Sequence, residues 1–86
     1  MTIDELRKEI DRIDSEIVRL YGERMTAAER IGEYKKERGM PVTDPARERE
    51  LLRRVGELAG PENADDVREL FAFLMAKSRA RQERGR

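Results

Sequence analysis

Four polar residues of this sequence have types and spacings that could bind a small anion. Arg24 stands in an apolar helical pattern where a leucine or isoleucine is expected, and Lys35 follows about three turns later on nearly the same face. Ser78 and Gln82, four residues apart, continue the apolar stripe of another predicted helix. Two cations roughly 16 Å apart along one helix, with long side chains, can frame a cavity for an acidic small molecule.

Each of these residues also has a simpler interpretation. Arg24 could fix the register or the oligomeric state of packed helices, because one polar residue in an apolar seam can do so. Ser78 could bond back to its own helix, and Gln82 could be exposed near the chain end. Lys35 could belong to the solvated end "EYKKERG". The four residues taken together favour a binding site over four separate explanations.

Glu48 and Arg7 are two further candidates. A capping box that starts at Asp44 requires a glutamate at position 47, where the sequence has Arg47, so Glu48 is available for another role or for a helical ion pair. Arg7 shares the heptad position of Lys35 but lies 28 residues before it, roughly 42 Å along the helix. Within one chain Arg7 is a surface charge, whereas an antiparallel pair of helices could bring it to the site of the other chain.

Three predicted helices, over residues 3–38, 45–59 and 64–83, position these side chains. Asp44 is the expected N-cap of the second helix, and Asn63 with Asp66 resembles a capping box at the third. Apolar residues recur every three or four positions in the first helix and form a seam: Ile3, Leu6, Ile10, Ile13, Ile17, Leu20, Ala27, Ile31 and Tyr34.

The first helix is too long for the core that one chain can build. It would span on the order of 50 Å, whereas a compact domain of this length has a radius of gyration of about 12 Å. A second copy or a partner protein must therefore cover it. We expect a single all-α domain over residues 1–86, with three helices per chain, one of them very long, in a homodimeric bundle.

Composition excludes several classes of function. The chain has 86 residues, 19 basic and 19 acidic, with no cysteine and no histidine. Balanced charge disfavours nucleic-acid binding, and the missing residue types exclude thiolate chemistry and the commonest general base and metal ligand. We find neither a signal peptide nor a membrane-spanning pattern, and expect a cytoplasmic protein without membrane contact.

The combined pattern resembles the AroQ-type, all-helical chorismate mutases. It consists of "LRKEIDRIDSEIVRLYGERMTAAERIGEYK", then "PVTDPARERELL", then a late "SRARQ", and it extends from about residue 4 to residue 82. The resemblance implies an intertwined homodimer of three-helix chains with two equivalent active sites. It also implies the conversion of chorismate to prephenate in phenylalanine and tyrosine biosynthesis, a unimolecular Claisen rearrangement that requires no metal or other cofactor.

The resemblance assigns roles to the cations and the amide. Arg24 would bind one carboxylate of chorismate, and Arg7 of the other subunit would bind the second. Lys35 would contact a carboxylate and the ether oxygen, to which Gln82 would be the second donor. Fixed donors at that oxygen stabilise the negative charge that develops there as the bond breaks.

The remaining roles fall to the second and third helices. By the same resemblance, Glu48 would hold the ring hydroxyl with help from the backbone near Asp44, and Ser78 would contact the ring carboxylate. Arg47 belongs to the motif and would have a supporting role.

Three alternatives compete with this interpretation. Isochorismate pyruvate lyases share the helical fold and a related substrate, although "VTDPARE" resembles the mutases. A non-catalytic helical dimerisation module would explain the seam but not the polar residues together. An RNA-binding protein could be argued from "KSRARQERGR", against the neutral charge balance and the scarce aromatic residues.

Overall fold

The computed structural model describes residues 1–86 and contains three α-helices: α1 (Ile3–Glu37), α2 (Pro45–Ala59) and α3 (Ala64–Glu83). No strand is present, so the prediction of an all-helical chain with three helices is confirmed. None of the helices combines the length and the apolarity that crossing a lipid bilayer requires.

Local sequence signals explain where α1 and α2 begin. Thr2 Oγ1 accepts a hydrogen bond from the Glu5 amide at the start of α1, and Asp44 Oδ1 accepts one from the Arg47 amide at the start of α2. The prediction of a capping box at α3 is wrong. Asn63 has a helical backbone (φ −106°, ψ −2°) and makes no capping hydrogen bond, whereas a capping side chain normally comes from an extended residue.

Helix α3 packs against both other helices. On its α2 side, Met75 forms a small core with Leu51 and Val55, and Leu52, Val67 and Phe71 pack against that core. On its α1 side, the buried positions of α1 are Met25, Ala28 and Gly32. These positions lie one residue beyond the predicted seam, whose residues Ala27, Ile31 and Tyr34 stay exposed in the single chain.

The N-terminal part of α1 extends beyond this core. Residues 1–20 are all exposed, including the six large apolar residues of the seam within them. The molecule measures 55 × 27 × 14 Å with a radius of gyration of 16.1 Å, compared with about 12 Å for a compact chain of this length.

Candidate active site

A cavity of about 360 Å³ lies where α1, α2, α3 and the loop between α1 and α2 meet. Its walls combine apolar side chains from all three helices with charged and polar groups. Six of the seven site residues predicted from the sequence line it: Arg24, Lys35, Asp44, Glu48, Ser78 and Gln82. Arg47, to which we gave a supporting role, lines it as well.

The Arg24 side chain is fixed by α3. Its Nη1 donates a hydrogen bond to Ser78 Oγ, and the guanidinium carbon lies 5.8 Å from the centre of the Phe71 ring. Ser78 Oγ in turn donates to the Leu74 carbonyl at 2.8 Å, so the back-bonding interpretation of Ser78 holds alongside its place in the cavity. Partial burial, and secondarily the nearby charge of Arg47, lower the pKa of the Arg24 guanidinium from its ordinary value.

Lys35 is anchored by the loop that precedes α2. Its Nζ donates a hydrogen bond to the Val42 carbonyl at 2.8 Å, and Val42 is buried. An ammonium group has three donors, so two stay available to a molecule in the cavity. The loop thus holds the ammonium in one place without neutralising its charge.

Gln82 is buried, and the interpretation that it is simply exposed near the chain end is wrong. Only 9% of its surface is exposed, and its Oε1 has no hydrogen-bond partner in the chain. Leaving a buried polar atom unpaired costs free energy, and such atoms in native proteins call for an explanation. A half-turn of the amide exchanges its oxygen and nitrogen, so the same group can present a donor.

The acidic residues of the cavity have different partners. The Asp44 carboxylate caps α2, as described above. Glu48 Oε1 accepts a hydrogen bond from Arg79 Nη1 at 2.5 Å. Sequence reasoning missed Arg79, although it follows Met75 by four residues and so shares the buried face of α3.

Three cations in the cavity have no acidic partner. Arg24, Lys35 and Arg47 form no ion pair. Every ion pair of the chain involves another arginine. Altogether four cationic and two acidic side chains line the cavity. The arrangement therefore suits a small molecule with two negative charges, since unpaired positive charges in a partly buried site favour an anion.

Arg7 is the predicted site residue that one chain does not bring to the cavity. It lies in the exposed N-terminal part of α1, roughly 42 Å along the helix from Lys35. Arg7 lines no part of the cavity and forms no ion pair.

Comparisons with known proteins agree in the family they indicate. A family model described as chorismate mutase type II matches residues 6–83. The chorismate mutase of Methanocaldococcus jannaschii is 35% identical over 81 residues, which cover 92% of this chain and 82% of that protein. A bifunctional chorismate mutase/prephenate dehydratase of Aquifex aeolicus is 53% identical over 53 residues, which cover 62% of this chain but only 15% of that protein.

A solved structure also resembles the fold. A conserved hypothetical protein from Pyrococcus furiosus superimposes with a TM-score of 0.81 at 40% identity, over 96% of this chain and 97% of the other. Together the comparisons confirm the predicted family and its reaction, and they do not favour a lyase or a non-catalytic module. The chain belongs to the chorismate mutase type II family, a family of isomerases that convert chorismate to prephenate.

Proposed function

We propose that this chain rearranges chorismate to prephenate in the cavity between its three helices, as a single domain over residues 1–86, and that a homodimer carries two such sites. The observation that supports this most directly is the set of three cations without acidic partners around one cavity. Chorismate carries two carboxylates, and the cavity has two more cationic than acidic side chains. We also propose that the protein lies in the cytoplasm.

The first contribution to catalysis is restriction of the substrate's shape. Arg24, braced by Ser78, binds one carboxylate. The Ser78 hydroxyl turns its one proton from the Leu74 carbonyl to the ring carboxylate. Arg7 of the partner subunit binds the second carboxylate. With both ends held, the enolpyruvyl group lies over the ring and the two carbons that form the new bond stay close together, which lowers the entropic part of the barrier.

The second contribution acts on the breaking carbon–oxygen bond. Lys35 and Gln82 donate hydrogen bonds to the ether oxygen, where negative charge develops in the transition state. The Lys35 ammonium is already anchored by the Val42 carbonyl, so it does not have to reorganise when the charge appears, and burial restricts the Gln82 side chain. Donors fixed in this way stabilise the transition state more than the ground state.

Glu48 completes the contacts at the other end of the ring. Its carboxylate accepts a hydrogen bond from the ring hydroxyl, helped by the backbone near Asp44, and Arg47 adds positive charge near Arg24. The rearrangement is intramolecular, so these side chains need only bind, orient and stabilise charge. A chain without histidine or cysteine has the groups that such catalysis requires.

A second copy of the chain would cover the exposed part of α1. The single chain exposes 6769 Å², whereas a compact protein of 10.1 kDa exposes about 5300 Å². The exposed apolar residues of α1 include Ile10 at 55% and Ile17 at 59%. Pairing these seams in an intertwined, antiparallel arrangement would bury them and bring Arg7 of each chain towards the cavity of the other.

The test is a chorismate mutase assay on the wild type, on Lys35→Ala and on Lys36→Ala as a matched control. Product formed is measured as phenylpyruvate after acid treatment. We expect wild-type turnover, a loss of about 10²–10³-fold in kcat for Lys35→Ala, and near-normal activity for Lys36→Ala. Lys36 is the adjacent cation but does not line the cavity, since its Nζ bonds to the Gly85 carbonyl.

Two results would contradict the proposal. A folded wild-type protein that leaves chorismate unchanged would exclude the mutase activity, and isochorismate would then be tried as the substrate. If the wild type turns chorismate over but Lys35→Ala and Lys36→Ala are equally active, the role assigned to Lys35 is excluded, and the mutase activity stands.

A further inference from the structure

We propose that Arg79 is a positioning residue that acts on the substrate through Glu48. The inference rests on the proposed function, in which the Glu48 carboxylate accepts a hydrogen bond from the ring hydroxyl. It extends that function to a residue of α3 whose contact with Glu48 is visible in the structure.

The Arg79–Glu48 ion pair differs from the ion pairs that stay within one helix, and unlike the interhelical pair of Arg81 and Glu29 it lines the cavity. Arg19, Arg53 and Arg68 pair with carboxylates three or four residues away on their own helices, at well-exposed positions. Arg79 and Glu48 instead join α3 to α2 across 31 residues of sequence, and both line the cavity. Their side chains are 36% and 26% exposed, so the contact is partly shielded from solvent.

Only one of the two Glu48 carboxylate oxygens has a hydrogen-bond partner in the chain. Oε1 accepts the hydrogen bond from Arg79 Nη1 at 2.5 Å, whereas Oε2 accepts none from the chain. A glutamate side chain has three rotatable bonds, and a charge-assisted hydrogen bond to one oxygen restricts the direction of the other. Oε2 is therefore the atom that accepts the hydrogen bond from the ring hydroxyl, and Arg79 determines where it points.

Arg79 itself is less suited to bind a substrate carboxylate. Its charge is already matched by Glu48, whereas Arg24, Lys35 and Arg47 have no acidic partner in the cavity. The cations of the site thus divide into three that face the substrate's negative charge and one that faces the protein's own carboxylate.

A double-mutant cycle tests this division of roles. We would measure kcat/KM for the wild type, Arg79→Gln, Glu48→Gln and the double variant, at a temperature where circular dichroism shows all four folded. Arg79→Gln should lower kcat/KM roughly tenfold in the wild-type background, within the coupling range of salt-bridged residues. In the Glu48→Gln background the same change should cost less than about twofold, because the carboxylate it positions is gone.

Two further variants serve as controls. Arg79→Lys keeps a charged donor and should recover part of the activity lost in Arg79→Gln, which a purely steric role would not predict. Arg53→Gln removes two ion pairs on the exposed face of α2 and should leave kcat/KM unchanged.

The possible failures are distinguishable. Equal losses from Arg79→Gln in both backgrounds would mean that Arg79 acts independently of Glu48, and no loss in either would mean that it has no part in the reaction; each overturns the inference while the mutase activity stands. A wild-type protein without mutase activity would overturn the proposed function and this inference with it.

Discussion

The two ends of α1 have the same apolar periodicity but different surroundings. From Ile3 to Leu20 every residue is exposed in the single chain. From Met25 onward the helix has a buried face, in which Met25 is 1% and Ala28 is 4% exposed. One continuous helix of 35 residues therefore carries a region that its own chain packs and a region that it leaves uncovered.

This difference shows that the helix has two separate packing faces. The face of Met25, Ala28 and Gly32 packs against α3. The predicted seam lies one residue away from it, and its members Ile31 and Tyr34 stay about half exposed even beside the core. Past Leu20 the seam continues through Arg24, Ala27 and Ile31, which line the cavity. The N-terminal part of the seam is therefore the apolar surface available for a second chain, and its later part forms a wall of the site.

The largest expected effect comes from a charge placed in the seam of the uncovered region. Ile13→Asp would bury an unpaired carboxylate in the proposed dimer, and such a charge costs several kcal/mol. We expect a loss of the dimer at micromolar concentration and, with it, of nearly all mutase activity. Sedimentation velocity reports the first and the chorismate assay the second.

Arg12→Asp is the matched control, because it introduces the same side chain one position away from the seam. The mass of the particle in sedimentation velocity and the mutase activity should both stay close to those of the wild type. A monomeric wild type, or an Ile13→Asp variant that stays dimeric, would show that the exposed seam is not the contact between chains.

A smaller effect is expected from Arg7, the predicted site residue that lies in the uncovered region. Arg7→Ala should lower kcat/KM about 10- to 100-fold, since hydrogen bonds to charged groups contribute about 1.5–3 kcal/mol. Mixed with Lys35→Ala chains, it should recover about a quarter of wild-type activity, because half of randomly formed dimers are hybrid and each hybrid has one intact site of two.

Subunit exchange must be verified independently, by native mass spectrometry of the mixture. If hybrid dimers form but activity stays at the level of the parent variants, Arg7 does not act across the dimer.

The sequence predicted those site residues that interrupt an apolar pattern. Arg24, Ser78 and Gln82 were found because a polar side chain in a buried stripe needs a reason, and the structure brings all three to the cavity. Lys35 was found from its helical spacing to Arg24. Arg79 was missed because the charged residues of "SRARQ" resemble a solvated face, although its spacing to Met75 places it on the buried face of α3.

Other features depend on three-dimensional distances that no sequence spacing contains. Asn63 has the right residue type for a cap but a backbone conformation that does not allow it. In the sequence, Gly32 is distinguished only by its low helix propensity. In the structure, a Cβ atom at position 32 would lie 2.7 Å from the Cα and 2.9 Å from the carbonyl oxygen of Gln82.

The smallest of these effects comes from adding one methyl group at each of two glycines in α1. A Cβ atom at position 22 would have no other atom within 4 Å in the single chain, whereas one at position 32 would meet the α3 backbone. Gly22→Ala should raise stability by up to about 1 kcal/mol through helix propensity and leave kcat unchanged.

Gly32→Ala gains the same propensity but must move the end of α3 that carries Gln82. We expect it to lower the melting temperature and to reduce kcat about tenfold, with a smaller change in KM, because Gln82 donates to the oxygen that becomes charged in the transition state. Thermal unfolding and steady-state kinetics of the two variants give the comparison directly. If Gly32→Ala behaved like Gly22→Ala, the close approach of α1 and α3 would not be what holds Gln82 in the site.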